Sequence, residues 1–283
     1  MPPTHPTPSP PPTTSLVVTD LDGTLWDTDD HVPATTLAAV RELRRRGVPL
    51  LVATGRRIAS TREPLARIGL APPAVVLNGA IGLHLDTGTR FHTMTFREDE
   101  AAAVLAGFHR VGLSPVVHVA DPDEAVEPTA FMSPTTSTHP DHAASMAPLA
   151  RIDDLDRIVV DRPVLAFSLI GIAEHDARAA AVSIGGAAET HLGRSRDFAG
   201  LATLTVAPAG LSKWDGVEAF CRSHGLDHTR VVALADGSND LELLERAALA
   251  LVPTDADADA LDRADHLIPP AGEGGWARVL DYV

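Results

Sequence analysis

The 283-residue chain holds a single cysteine, Cys221, and a single lysine, Lys213, and each scarcity excludes something. One cysteine forms no intramolecular disulfide and builds no multi-cysteine zinc site, so nothing calls for an oxidising compartment and a cytoplasmic protein is expected. Long apolar runs are also missing: Val231 to Ala235 and Ala247 to Val252 are among the longest and fall far short of a bilayer span. The opening stretch is rich in Pro and Thr but has neither an apolar segment nor a basic start, unlike a secretory signal. Residues 1–14 therefore read as a disordered tail. Positive charge is scarce, with 23 basic against 38 acidic residues and a net charge of −15. Nucleic acid and anionic membrane surfaces would be repelled over most of such a protein. A small phosphorylated metabolite, drawn in by a local positive site, fits better as a partner, with the protein a monomer or homodimer.

The basic residues are peculiar in kind. Lys213 is the only lysine among them and the rest are arginines. A bias toward arginine is tolerated on a solvated surface but not where a compact ammonium must reach a buried anion in one geometry. Lys213 is either such a position or a chance survivor of the bias.

What is present has a clear order. Ser15 to Asp20 is a β-branched apolar run ending in an acid-rich turn, the signature of a buried parallel strand that delivers Asp20 at its C-terminal end. Pro33 to Arg46 has helical spacing at Leu37, Val40 and Leu43 and stops at Gly47. Val48 to Ala53 predicts a second strand ending in Thr54-Gly55-Arg56, and Ala74 to Leu77 a third ending in Asn78-Gly79, with a helix between. Such alternation indicates a parallel sheet with ligands beyond its carboxyl ends. From Leu83 to Leu192 the grammar changes: Arg90 to Phe96 alternates like an antiparallel strand, Glu98 to Arg110 is helical, and Ser114 to Val119 and Val164 to Ile170 predict further strands. Asp121 to Pro148 reads as a loop rich in Pro, Thr, Asp and His. Parallel-sheet grammar resumes with strands at Leu201 to Val206, Val231 to Leu234 and Ala248 to Val252 and helices at Lys213 to His224 and Asn239 to Ala247. The expected architecture is an α/β, Rossmann-like parallel-sheet core, residues 15–82 and 193–283, carrying an inserted α+β domain, residues 83–192.

Chemistry gathers at the strand ends. Asp20-Leu21-Asp22-Gly23-Thr24 puts two carboxylates where both can turn toward one point as the chain bends at Gly23. A divalent hard cation resolves their repulsion, and magnesium prefers oxygen ligands and shares its sites with phosphate. A bare Asp-x-Asp also suits a solvated turn. Asp236-Gly237-Ser238-Asn239-Asp240 follows another buried strand and brings two more carboxylates to the same edge, although Ser, Asn and Asp equally dress a helix N-terminus. Thr54 and Gly55 offer a hydroxyl and backbone N–H groups for phosphate oxygens. Lys213, opening a helix, can neutralise phosphate and acid charge together.

In that order the motifs Asp20-Leu-Asp-Gly-Thr-Leu25, Thr54-Gly-Arg56, Gly210-Leu-Ser-Lys213 and Asp236-Gly-Ser-Asn-Asp240 resemble the haloacid dehalogenase superfamily, and within it the Cof-like sugar-phosphatase group. Asn78-Gly79-Ala80 resembles that group's substrate-side turn, and the inserted domain matches its large α/β cap. The resemblance implies a magnesium-dependent phosphatase of small phosphomonoesters such as sugar phosphates. Asp20 would be the nucleophile that becomes an aspartyl-phosphate, and Asp22 would protonate the leaving oxygen and then activate water. Asp20, the main-chain carbonyl of Asp22 and Asp236 would hold magnesium, with Asp240 supporting them. Thr54, Gly55, Lys213 and Asn239 would hold phosphate, and Arg56, Asn78 and Gly79 would line the substrate side. Ala235 and Trp26 depart from the group's usual glycine and small aliphatic; Trp26 either narrows the entrance, stacks on a substrate or packs inside. A phosphomutase and a non-catalytic sugar-phosphate sensor are the competing readings. His139 and His142 lack a nearby third ligand and read as solvated, Arg44-Arg-Arg46 as a helix end complementing its dipole, and Cys221, inside a helix, as a small core residue.

Overall fold

The structure, a computed structural model, describes residues 14–27, 30–120 and 127–283. Residues 1–13 of the expected tail lie outside them. In β1 (Leu16–Thr19), Val17 joins Val52, Ala74 and Leu234 in one apolar layer, while Leu16 and Val18 join Leu51, Val75 and Ala233 in another. A strand covered on both faces needs apolar residues at every position, which is why these strands read as unbroken runs. α1 (Ala34–Arg45) turns Ala39, Val40 and Leu43 inward and is followed by Gly47 at φ +74°, a backbone conformation open to glycine at little cost. β2 (Leu50–Ala53), α2 (Ile58–Arg67) and β3 (Pro73–Val76) continue the alternation, and β4 (Ile81–His84) and β5 (Arg90–Thr93) then fold back as antiparallel neighbours.

The inserted unit runs through α3 (Glu98–Arg110), β6 (Val116–Val119), β7 (Thr129–Met132), α4 (Pro140–Met146), β8 (Ala150–Ile152), α5 (Leu155–Asp161), β9 (Val164–Ile172), α6 (Glu174–Ile184), β10 (Ala188–Arg194) and β11 (Ala202–Pro208). Its strands form a second sheet in the order β10-β11-β9-β6-β7-β8. That sheet has its own core, in which Val104 and Phe108 of α3, Ile158 of α5 and Ala180 of α6 pack on Val117, Phe167 and Leu204. The chain then returns through α7 (Lys213–His224), β12 (Val231–Leu234), α8 (Leu241–Arg246), β13 (Leu249–Pro253), α9 (Ala258–Leu261) and β14 (His266–Ile268). The first sheet has the order β14-β13-β12-β1-β2-β3-β4-β5. Among the described residues no helix is long and apolar enough to cross a membrane.

An α/β core carrying an inserted unit stands, but two strands belong to the other sheet from the one that the expected boundaries of 83–192 give them. β5, expected in the insertion, pairs with β4 in the first sheet. β11, expected to resume the parallel core, pairs antiparallel with β10 and β9 in the second. The reason shows in its residues: buried Ala202, Leu204 and Val206 alternate with half-buried Thr203 and Thr205, the period of a strand with only one face fully covered. The expected loop at 121–148 also needs correction. Residues 121–126 lie outside the described residues, but β7 follows them, and Pro140 opens α4 at the first helical position, where its missing N–H costs nothing. The helix expected from Asn239 starts as a 3-10 turn over Ser238–Asp240 and becomes α-helical at Leu241.

Candidate active site

Strand ends and one helix start converge on a buried group of charges. Asp20 leaves β1 with its N–H bonded to the carbonyl of Leu234 on β12, which fixes the two strand ends side by side. Gly23 then adopts φ +74°, and a Cβ there would stand 2.2 Å from Oδ2 of Asp236. Glycine thus serves twice, in the turn and in the close approach of Asp236. Thr24 Oγ1 donates to Asp236 Oδ1 at 2.6 Å. Lys213 is the first residue of α7, behind a capping box of Ser212 and Asp215. Its ammonium donates to Asp20 Oδ1 at 2.9 Å and Asp240 Oδ1 at 2.6 Å, and Lys213 is only 1% exposed. The second oxygen of Asp240 accepts from the Gly237 N–H at 3.1 Å.

Burial disfavours the charges of Asp20, Asp236 and Lys213. It pushes Asp20 up to about 7, against the pull of Lys213, and Asp236 up to about 8, with the Asp20 and Asp240 carboxylates adding to the rise. Burial likewise disfavours the Lys213 ammonium, but Asp20 and Asp240 outweigh it and hold the group above the usual lysine range. One ammonium does not neutralise three carboxylates. Ligand oxygens of Asp20, Asp236 and Asp240 lie within 4.8 Å of one another. A cluster of hard oxygen donors with surplus negative charge fits a divalent cation.

Asp22 faces the other way. Its Oδ1 accepts from Trp26 Nε1 at 3.0 Å, from Arg196 Nη1 at 2.7 Å and from Arg56 Nη2, and its Oδ2 accepts from Arg56 Nε at 2.7 Å. Asp30 joins them, accepting from Arg56 Nη2 at 2.8 Å and from Arg196 Nη1 at 2.7 Å. The surrounding protein raises the Asp22 carboxyl above its ordinary range, although Trp26 and Arg196 pull it back and the side chain keeps 37% of its exposure. The expectation that the Asp20 and Asp22 carboxylates turn toward one point does not hold: the Asp22 carboxylate is spent on two guanidinium groups, and the carboxylate cluster forms without it, which leaves only the expected main-chain carbonyl of Asp22 for a metal. Trp26 is fully buried, so it neither narrows an entrance nor stacks on a substrate. It supports Asp22 from below and lies under the Arg56 guanidinium at 4.7 Å.

The remaining predicted residues form the rim. Thr54 is buried at the end of β2, and its Oγ1 accepts from the Arg56 N–H at 3.2 Å. A Cβ on Gly55 would approach Asn78 Oδ1 at 2.9 Å and Asn239 Nδ2 at 3.4 Å, so both amides crowd that loop. Asn78 is left-handed, at φ +54°. It accepts from Asn239 Nδ2 at 2.9 Å and donates to Thr205 Oγ1 on β11 at 2.9 Å, tying the two sheets together. Gly79 packs elsewhere: a Cβ there would meet the Ser212 carbonyl at 2.1 Å, so its smallness lets this turn close on the loop before Lys213. Arg56 binds Asp22 and Asp30. His139 caps α4 by accepting from the Asp141 N–H and stacks on Phe198 at 3.9 Å between ring centres. Burial pushes the Cys221 thiol up to about 11, as suits a packing residue.

Asp30 and Arg196 escaped the reading of the sequence. Their separation of 166 residues hides the pairing, and Gly193-Arg-Ser-Arg-Asp197 carries no motif that sets Arg196 apart from Arg194. A cavity of about 230 Å³ lined by His109, Ser114, Ser133, Pro134 and Asp153 among others includes no motif residue and belongs to the inserted unit.

A family model describing haloacid dehalogenase-like hydrolases matches residues 17–280. The phosphoglycolate phosphatase of Methanopyrus kandleri is 26% identical over 271 residues, 94% of this chain and 96% of that protein. The HMP-PP phosphatase of Cronobacter sakazakii is 27% identical over 274 residues, 93% of this chain and 92% of that protein. The solved structure of the subclass IIB sugar phosphatase BT4131 superposes with a TM-score of 0.74 at 20% identity, covering 95% of this chain and 98% of that one, a likeness of fold. This chain belongs to the haloacid dehalogenase-like hydrolases, in their Cof-like branch, and is an enzyme.

Proposed function

We propose that this hydrolase is a magnesium-dependent phosphatase of small phosphomonoesters, sugar phosphates among them, working through an aspartyl-phosphate on Asp20. The observation that carries the reading is the ammonium of the only lysine, buried between Asp20 and Asp240 beside Asp236. Curated relatives aligned over nearly their whole length are phosphatases of small phosphorylated compounds, which supports the same class here. The inserted unit acts as a cap that sets the choice of ester. A cytoplasmic monomer or homodimer is part of the same proposal.

In the first step an Asp20 oxygen attacks phosphorus. The bond to the ester oxygen breaks, its electron pair stays on that oxygen, and Asp22 supplies the proton. In the second, Asp22 takes a proton from water, the hydroxide attacks the aspartyl-phosphate, and inorganic phosphate leaves with Asp20 regenerated. Burial raises the Asp22 carboxyl above its ordinary range, the direction that favours a proton donor. Thr54, Gly55 and Asn239 orient the phosphate, and the Lys213 ammonium stabilises the charge on its oxygens. Magnesium, held by Asp20, Asp236 and the Asp22 carbonyl with Asp240 in support, would supply charge neutralisation between nucleophile and phosphate.

Release of phosphate from an aryl phosphate, with magnesium and with a chelator, tests this. Asp20→Asn is expected to lower kcat about a thousandfold or more. Undiminished turnover by that variant sinks the covalent mechanism, and a wild-type protein that binds phosphate esters but turns over none is a sensor.

A further inference from the structure

Among the described residues, Arg196 is the one guanidinium that the inserted unit sends onto the proposed acid. It follows β10 in the loop that leads into β11, and about a third of its side chain is exposed. From there it crosses to the first sheet's side, with Nη1 at 2.7 Å from Asp22 Oδ1 and 2.7 Å from Asp30 Oδ1, and Nη2 at 3.1 Å from Asp30 Oδ2. Its contact with its own neighbour Asp197 is longer, at 3.7 Å.

Arg196 is also the dispensable partner of those two acids. Arg56, only 13% exposed, bonds both independently, at 2.7 Å to Asp22 and 2.8 Å to Asp30. Withdrawing Arg196 therefore leaves neither acid without a counter-charge, so exchange of its partner avoids the cost of an isolated charge in a partly buried site. The paired contact with Asp30 already shows what its fork accepts, a carboxylate held by two parallel N–H bonds.

Position fixes how far such a group stands from the chemistry. Resting on the reading that Asp22 protonates the leaving oxygen, that oxygen comes within about 3 Å of the Asp22 carboxylate. Where the proton passes from Oδ1, the oxygen that Arg196 contacts at 2.7 Å, Arg196 lies no more than about 6 Å from the leaving oxygen. A carboxylate one or two carbons beyond the ester oxygen spans that gap with one hydrogen bond to spare. In a protein of net charge −15, an anionic tail needs such a local cation to be accepted at all.

We infer that Arg196 determines specificity: it exchanges Asp22 and Asp30 for a second anionic group on the substrate, selecting short phosphate esters that carry a carboxylate. The test compares kcat/KM for 2-phosphoglycolate and for ethyl phosphate, which lacks the carboxylate, in wild type, Arg196→Lys and Arg196→Ala, with folding checked by circular dichroism. The wild type is expected to prefer the carboxylate. That ratio falls about 10- to 100-fold in Arg196→Ala, and less in Arg196→Lys, which keeps the charge without the fork. A ratio within twofold of wild type in Arg196→Ala, with both esters still hydrolysed, overturns the inference and leaves the phosphatase reading intact. If the wild type releases phosphate from neither ester nor from the aryl phosphate, the phosphatase reading fails, and calorimetry with 3-phosphonopropionate and propylphosphonate decides the inference alone. Preference for 3-phosphonopropionate that Arg196→Ala abolishes supports it, and equal binding of the two overturns it.

Discussion

The two sheets meet the candidate site in different ways. The first contributes charges that are buried, mutually bonded and fixed by the strands that carry them: Lys213 between Asp20 and Asp240, and Asp236 held by Thr24 over Gly23. The second reaches the site through single side chains: Arg196 onto Asp22 and Asp30, Thr205 onto Asn78, and Glu127 onto the backbone N–H of Ala59 at the start of α2. A buried charge network tolerates no loose member, because a partner removed leaves an uncompensated ion in low dielectric. Individual bonds across an interface are each worth little and can be exchanged. On the proposed mechanism the difference amounts to a division of labour, with reaction chemistry in the first sheet and selection in the sheet that touches it lightly.

Lys213 offers the sharpest way to break that contrast. Lys213→Ala strands two buried carboxylates and is expected to lower the free energy of unfolding by about 3–5 kcal/mol, measured with denaturant in the absence of divalent ions. Lys213→Arg keeps a charge but forces a larger planar fork into a fully enclosed space. Its activity should fall about a hundredfold or more. A loss of less than about 1 kcal/mol in the alanine variant would show that the network is not what holds this floor together.

The inserted unit buries an ionisable group of its own, His118. His118 is 3% exposed, bonds Ser168 Oγ at 2.9 Å, and is pushed down by burial to about 3. Below pH 6.5 the unfolded chain takes up this proton and the folded one does not, so stability present above pH 6.5 is lost as pH falls toward 3. Between pH 7 and 5 the loss due to this residue is about 2 kcal/mol. Unfolding of wild type and His118→Gln at both pH values isolates it, and parallel pH slopes would remove His118 as the cause.

The smallest effect belongs to the bond between the sheets. Thr205→Val keeps the shape of the side chain and removes the acceptor of Asn78. It is expected to lower thermal stability by about 1 kcal/mol. A loss several times larger would mean that the sheets depend on each other for folding and that their contact is not light.

How much of this was legible varies with the distance over which a contact acts. The strands and helices around the four motifs were readable because burial on both faces writes a continuous apolar run, and helices such as α7 open on a capping signal. β11 was misplaced because its residues announce a strand without announcing its partner. Only the pairing with β9 and β10 assigns it to the second sheet. An indole suits entrance and interior alike, so the sequence does not place Trp26; its burial beneath Arg56 does.

Local chemistry along the chain was enough to nominate the proposed reacting set, Asp20, Asp22, Lys213, Asp236 and Asp240, since each lies at a strand end or helix start and backbone geometry sends such residues to one edge of a parallel sheet. Tertiary structure alone decided which carboxylates face one another and which face arginine. Asp22 turns from the acid cluster to Arg56 and Arg196, and Asp30 becomes part of the site, because charges far apart in the chain pair by proximity in space and no local pattern records that.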